Sequence, residues 1–409
     1  MKETKFKNTE IGRIPDDWEV RTINSFCSVK TGPFGSMLHA EDYVAKGTPI
    51  VTTEHFKNGI LPLVGKDIPQ VGIEDLKRMS SYTLTKDDIV FSRVGSVDIN
   101  ALVTVRQKGW LFSGRVLRVR PFKQTDSLYL HYGLLKHSVR SDIVSRAVGL
   151  TMASINTKIL GETELSLPPL NEQHSIASAL TSIDNLISSL GKLIEKKKNI
   201  KQGAMQQLLT GKTRLKGFNE PWMEKKLGDI GSLAMCKRIF QEETSEKGDV
   251  PFYKIGTFGQ QADAYITKGK YEQFKQMYRF PQKGDVLISA AGTIGRTVIY
   301  NGEPAYFQDS NIVWLAHNGK YITNNFLFYI YQRTDWNTED TTIARLYNNN
   351  FNNTCIHFPS SITEQQVIAN ILSKMDNEIT ALETKKTKYE AIKQGMMQLL
   401  LTGKIRLIS

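Results

Sequence analysis

The sequence predicts an α+β chain in which two globular mixed α/β domains are separated by two long antiparallel coiled-coil helices, as an internal pseudo-twofold repeat. Three observations carry this reading. The segment from Asn171 to Leu215, NEQHSIASALTSIDNLISSLGKLIEKKKNIKQGAMQQLLTGKTRL, aligns without a gap on Thr363 to Leu407, at a constant offset of 192 residues. A weaker echo precedes it: DDIVFSRVGS (Asp87 to Ser96) resembles GDVLISAAGT (Gly284 to Thr293), and Trp18 with Ile23 recurs as Trp222 with Leu227. Before each copy the chain breaks into short β-rich runs, so it is one unit written twice, a variable part followed by a constant part.

The constant part is a helix by its period. Ile176, Leu180, Ile183, Ile187, Leu190 and Ile194 follow a 4-3-4-3-4 spacing, which is a heptad seam, and Ile368, Leu372, Met375, Ile379 and Leu382 repeat it. Glu383, Lys385, Lys386 and Lys388 occupy the other face. No proline interrupts either copy, and Gly211 and Gly403 stand where a helix would stop, so each helix is expected to run about 35 to 40 residues, or ~55 Å. Near-identity here beside divergence elsewhere implies that both helices present one surface to two copies of one partner.

The variable parts contain DDIVFSRVG, ALVTVRQ, GRVLRVR, DVLISAAG, RTVIY and NIVWLAH as expected strands, with helices over Ser127 to Ala147 and in NNFLFYIYQRTDWN. Between them lie basic or amide-rich loops: SVKTGPFGSMLHAED, SRVGS and LTMASINTK in the first part, CKRIF, GTIGRT and ARLYNNNFNN in the second. Arg, Lys, Asn, Ser and Thr contact phosphates and read base edges, Arg on guanine and Asn on adenine. Lys and Arg outnumber Asp and Glu by 53 to 41, a net charge of +12, which favours a polyanionic partner.

Composition excludes several classes. No apolar run reaches the length that crosses a bilayer, and MKETKFKNTEIGRIPDDWEV lacks the apolar stretch of a signal peptide, so a cytoplasmic protein without a membrane partner is expected. The cysteines, Cys27, Cys236 and Cys355, show no metal or disulfide spacing, and none of His39, His55, His131 and His137 pairs with another at metal-ligand spacing on one helix. Gly211-Lys212-Thr213 ends like a phosphate-binding P-loop, but the required upstream glycine is Gln206 and the second copy carries Ile405 for Thr213. There is no G-x-G-x-x-G after a strand and no methyltransferase tetrad; LPPL at Leu167 to Leu170 is a loop into a helix, and PDDWEVR lacks a nuclease lysine. No catalytic centre, metal site or bound cofactor is expected.

These strings together resemble the specificity (S) subunit of type I restriction-modification systems over essentially the whole chain. IGRIPDDWEV and FNEPWMEKKLGDI resemble starts of that family's target-recognition domains, KTGPFGS and GDVLISAAGTIG its interior signatures, and LPPLNEQHSIA with KQGAMQQLLTGKTRL its helical spacer. The resemblance implies target-recognition domains over residues 1–160 and 216–352 and helical spacers over 161–215 and 353–409, each domain reading half of a bipartite, asymmetric double-stranded DNA sequence. It further implies that two methyltransferase (M) subunits dock on the spacers and methylate adenine N6 with S-adenosylmethionine, that restriction (R) subunits add ATP-driven cleavage, and that this chain supplies address rather than chemistry. Candidate DNA contacts are Lys30, Arg93, Arg115 and Asn156 in the first domain and Arg238, Arg296, Asn311, Arg345 and Asn348 in the second. Candidate partner contacts are Gln202, Met205, Gln206 and Leu209 with their copies Gln394, Met397, Gln398 and Leu401; a Met/Leu stripe at this spacing also suits a core. One departure stands out: FPSSITEQQ replaces LPPLNEQ, which predicts a different approach of the chain to the second helix. The reading left open beside this one is a helical adaptor whose two domains bind proteins.

Overall fold

The computed structural model describes residues 4–33, 38–65, 67–149, 151–336 and 345–408. Parts of KTGPFGS, the end of NNFLFYIYQRTDWN and the first residue of ARLYNNNFNN lie outside them. Two helices of 39 residues, the central helix Leu170–Leu208 and the C-terminal helix Ile362–Leu400, match the expected length and begin at equivalent positions despite the lost proline. Both are followed by a glycine in the left-handed region, Gly211 at φ +69° and Gly403 at φ +67°, as a helix stop requires.

The chain forms two compact units that do not follow the linear repeat. The first comprises residues 1–191 and 384–409, the second residues 192–383, so each takes half of each long helix. Inside the first unit the helix halves run antiparallel, with Glu172 paired to Arg406 and Asp184 to Lys393. Inside the second, Lys197 pairs with Glu378 and Lys201 with Asp376, again antiparallel. The heptad seam faces inward: Ile176, Leu180, Ile183, Leu190, Ile194, Ile368, Leu372 and Ile379 are buried, and Ile187, Met375 and Leu382 are half-buried.

The two units share one sheet plan. In the first, strand Val116–Pro121 lies between Cys27–Thr31 and Ile89–Ser92, with Asn100–Leu102 outside, all antiparallel. In the second, Ile312–Ala316 lies between Ser232–Met235 and Val286–Ser289, with Thr297–Ile299 outside. A smaller sheet in each unit is built around one parallel pair, Leu111–Phe112 beside Thr48–Val51 and Val250–Tyr253 beside Tyr306–Phe307. The run ALVTVRQ is shorter as a strand than expected, because Thr104 accepts from the Arg106 N–H and bonds with Gln107, closing a turn over Val105–Gln107.

The repeated Glu-Gln pair opening each long helix explains how a domain is fastened to it. Gln173 accepts from the backbone N–H of Asp126 (3.0 Å) and donates to the Pro168 carbonyl (2.9 Å). Gln365 does the same with Thr323 (2.9 Å) and Pro359 (2.9 Å). Asp126 and Thr323 are themselves the N-caps of helices Ser127–Leu134 and Asn324–Tyr331, so one buried amide fixes both helix starts.

Candidate nucleic-acid interface and docking clefts

Most of the candidate DNA contacts gather at one end of the main sheet in each unit; Lys30 and Asn348 do not. In the first unit Arg93 follows strand Ile89–Ser92 and donates through Nη1 to the Gly114 carbonyl (2.9 Å) and to Thr31 Oγ1 (3.4 Å). Its Nε and the Ser113 hydroxyl are buried without hydrogen-bond partners among the described residues. Arg93 and Arg115 line a cleft of about 490 Å³ with Thr52, Thr53, Glu54 and Tyr43, and Arg115 is exposed. Their backbones touch, Arg93 N–H donating to the Arg115 carbonyl (3.0 Å). Asn156 is two residues beyond Ser154, but its side-chain oxygen accepts from the Ile159 N–H (2.8 Å) and caps helix Thr157–Gly161. Its free amide is what remains for a ligand.

In the second unit two arginines converge on the loop 309–311. Arg238 pairs with Asp309 (2.8 Å), and Arg345 donates to Asn311 Oδ1 (3.3 Å) and Ser310 Oγ (3.5 Å), with Ser310 at φ +54°. Arg296 sits on the neighbouring turn, where its N–H donates to Ser289 Oγ (2.9 Å) and its Nη1 to the Phe258 carbonyl (3.0 Å). Asn348 is exposed at the start of helix Asn348–Asn353 and makes none of these contacts. Register aligns the units residue by residue: Arg115 and Asn311 both precede the inner strand, and both give their carbonyl to the residue after the adjacent strand, Arg93 or Ala290. The same scaffold position carries arginine in one unit and asparagine in the other.

Lys30 lies apart from Arg93. Its Nζ donates to the Ser81 carbonyl (3.0 Å) and stands 4.3 Å from the centre of the Tyr82 ring. Desolvation, then the charges of Arg118 and Arg120, holds its ammonium below the usual lysine range.

The candidate partner contacts form an equivalent cleft in each unit. Lys201, Gln202, Met205 and Gln206 line about 670 Å³ with Gln332 and Arg333, whose guanidinium donates to the Met205 carbonyl (3.0 Å). Lys393, Gln394, Met397 and Gln398 line about 510 Å³ with Lys136, His137 and Arg140. Each cleft is braced by a Tyr–Asp–Lys triad that sequence reasoning missed. Tyr132 donates to Asp184 (2.8 Å), which pairs with Lys393 (2.7 Å); Tyr329 donates to Asp376 (2.9 Å), which pairs with Lys201 (2.5 Å). Part of the expected stripe belongs to the core instead. Leu209 and Leu401 are buried, as is Met397, because their side chains turn into their own unit's apolar cluster; the glutamines are the exposed members, with Met205 half-buried.

Two buried carboxylates mark the helix starts. Glu172, 2% exposed, receives Arg406 through two bonds of 2.7 Å and Trp18 Nε1 at 3.0 Å. Glu364, 0% exposed, receives Arg214 through two bonds of 2.8 Å, while Trp222 Nε1 is buried without a partner among the described residues. The arginines come from the GKxRL ends of the copies, the strings that resemble a P-loop tail. Among the described residues no group of three or more His, Cys, Asp and Glu could hold a metal, and no helix is long and apolar enough to cross a membrane.

Comparison with known proteins bears on the family and the fold. The type I restriction modification DNA specificity domain matches twice, over residues 15–202 and 219–394. A Haemophilus influenzae protein named as a type I restriction enzyme specificity subunit is 33% identical over 348 residues, covering 82% of this chain and 89% of the relative. A type I restriction enzyme specificity subunit of Methanocaldococcus jannaschii is 27% identical over 431 residues, 99% of this chain and 97% of its own length. The fold is shared with the S subunit of a type I restriction-modification system from M. genitalium, at TM-score 0.60 and 18% identity over 94% of this chain and 96% of that one. A second solved chain, from work on the assembly and conformational transition of a type I system, superposes at TM-score 0.57 and 16% identity over 96% of this chain and 99% of that one.

Proposed function

We infer the function from one fact: this chain belongs to the type I restriction-modification DNA specificity family. It is a specificity subunit with two DNA specificity domains. We propose that each unit reads one half of a bipartite, asymmetric DNA sequence from the end of its main sheet, where Arg93 and Arg115 stand in the first and Asn311, Arg345, Arg296 and Arg238 in the second. The observation that carries this is the equivalence of one position: the scaffold point ahead of the inner strand holds Arg115 in one unit and Asn311 in the other, and asymmetric recognition by a pseudo-symmetric reader needs such a difference.

The partner surfaces are the opposite case, because four positions of the long helices line both clefts and carry the same residue type in each. Lys201, Gln202, Met205 and Gln206 recur as Lys393, Gln394, Met397 and Gln398, which supports two copies of one methyltransferase subunit docking there. The chain then contributes address in the cytoplasm and no catalysis, while S-adenosylmethionine binds the methyltransferase subunits and ATP the restriction subunits. The 39-residue helices, about 58 Å each, act as spacers between the half-sites.

The test is single-molecule methylome sequencing of a methylation-free host expressing this chain with its methyltransferase subunit, and each alone. Bipartite N6-methyladenine sites confined to the co-expression are expected; their absence despite a soluble complex would overturn the reading. Exchanging Phe240 to Phe351 for a relative's segment should change the second half-site alone, and loss of both would contradict modular reading.

A further inference from the structure

The main sheet of the first unit carries three cations where that of the second has Ala234, Trp314 and Ala316. Lys30 and Arg118 are directly opposed across neighbouring strands, and Arg120 follows two residues later on the same face. One carboxylate faces them: Asp88, fully buried and held by Arg120 through bonds of 2.6 and 2.8 Å. Lys30 spends one donor on the Ser81 carbonyl. Arg118 is 6% exposed, makes no side-chain hydrogen bond among the described residues, has its Nε buried without a partner, and lies 5.9 Å from the Phe112 ring. Burial and then the charge of Arg120 push its guanidinium below the ordinary arginine range.

The fold does not require these charges. Register equates Lys30, Arg118 and Arg120 with Ala234, Trp314 and Ala316 of the second unit, which pack as plain apolar side chains. A buried arginine without an acceptor is costly, and it is retained where an anion completes it. Two of the three cations remain reachable, Lys30 being half-buried and the Arg120 side chain 37% exposed.

We propose that Lys30, Arg118 and Arg120 form an oxyanion site that takes one phosphate group, a feature of the first unit alone. Three cations against one carboxylate leave an excess positive charge at a partly desolvated point, where a phosphate oxygen gains charge-assisted hydrogen bonds. A backbone phosphate bound there fixes the register of the first half-site without reading sequence, which rests on the DNA-reading proposal above.

The test compares the full chain in complex with its methyltransferase subunit against Lys30→Gln, Arg118→Met and the double variant. Each is measured on duplexes in which single phosphates are replaced by methylphosphonate. One position is expected to weaken the natural chain and leave the variants unaffected. The slope of log K against log salt should fall by about 0.9 in magnitude, with equal loss on specific and non-specific DNA and an unchanged methylation motif. In a parallel melt, inorganic phosphate is compared with chloride at equal ionic strength; a phosphate-specific rise in Tm that the variants lose, without methylphosphonate coupling, assigns the site to free phosphate. If the natural chain binds DNA, the variants fold, and neither effect is seen, the site is refuted and the cations serve only to hold the 80–83 turn. If the natural chain binds no DNA, the DNA reading falls and the melt alone decides the site. Lys30→Gln keeps the test open should Arg118→Met fail to fold.

Discussion

Replacing Arg406 with methionine tests the load on the buried carboxylate beneath it. Glu172 is 2% exposed and would lose both bonds from Arg406, keeping Trp18 Nε1 at 3.0 Å and the Leu407 N–H at 3.3 Å. Breaking a buried pair from one side costs about 3–5 kcal/mol, and the two surviving donors place this case near the lower end, about 3 kcal/mol. Asp17 also loses its partner, but its side chain is 54% exposed, so its share is below about 1 kcal/mol. The hydrogen bond from Arg406 holds the Asp17 carboxyl below its ordinary value of 3.8. That share is therefore present above pH 3.8, is lost as pH falls through the lower folded value, and vanishes from the variant at every pH. Because the two units need not unfold together, the assay is hydrogen exchange at pH 7 read separately in each. Protection should drop in residues 1–191 and 384–409 and hold in 192–383. Adding Glu172→Gln removes the stranded charge while leaving an acceptor for Trp18, and should restore more than half of the loss. A single variant costing under about 1 kcal/mol, or a double variant no better than the single, would refute the reasoning.

His131 is half-buried against Asn100, its ring nitrogen 2.6 Å from the amide oxygen, and desolvation followed by the charge of Lys393 pushes its pKa down to about 4. Stability of the first unit should be full above pH 6.5 and fall by about 3 kcal/mol toward pH 4, and His131→Gln should flatten that slope in denaturant titrations across the range. Asp87 holds φ +74° where the second unit has Gly284 at φ +96°, so Asp87→Gly should stabilise by about 0.5–1 kcal/mol in urea unfolding; destabilisation would show that its side-chain contacts outweigh the backbone strain. Of the three cysteines, Cys27 and Cys236 are buried, the latter thiol pushed up to about 12 by desolvation, and Cys355 is exposed. A thiol reagent should modify one site on the native chain and three after denaturation.

Much of the scaffold was legible because it is periodic or repeated. The seam from Ile176 to Ile194 and the stops at Gly211 and Gly403 needed only helical spacing and the conformational freedom of glycine. The site was legible by residue type and less by contact. Arg93 and Arg345 lie in expected loops and Arg115 and Asn311 at the heads of expected strands, and the register of the folded sheet is what brings each pair together. Arg118 and Arg120 were read as part of a strand, GRVLRVR; the alternation that made it a strand also places both arginines on one face, a signal that was available. The burial of Leu209 and Leu401 was not available, because a Leu at helical spacing carries the same letter whether it faces a partner or its own core.

The charges shared by the two copies of the helix carry a further argument. Glu172, Asp184, Lys201 and Arg214 recur as Glu364, Asp376, Lys393 and Arg406. No member pairs within its own copy: Glu172 takes Arg406, Asp184 takes Lys393, Lys201 takes Asp376 and Arg214 takes Glu364. Each bond is thus made twice from one pattern, with the acid supplied by one copy and the base by the other. A mutation in one copy can be compensated only by a change in the other, so the partner of any single charge reversal is fixed in advance. Lys201→Glu should be relieved by Asp376→Lys and not by Asp184→Lys, measured as recovery of protection in the second unit. Relief by Asp184→Lys would mean that the exchange of acids and bases between the copies is not what holds each unit together.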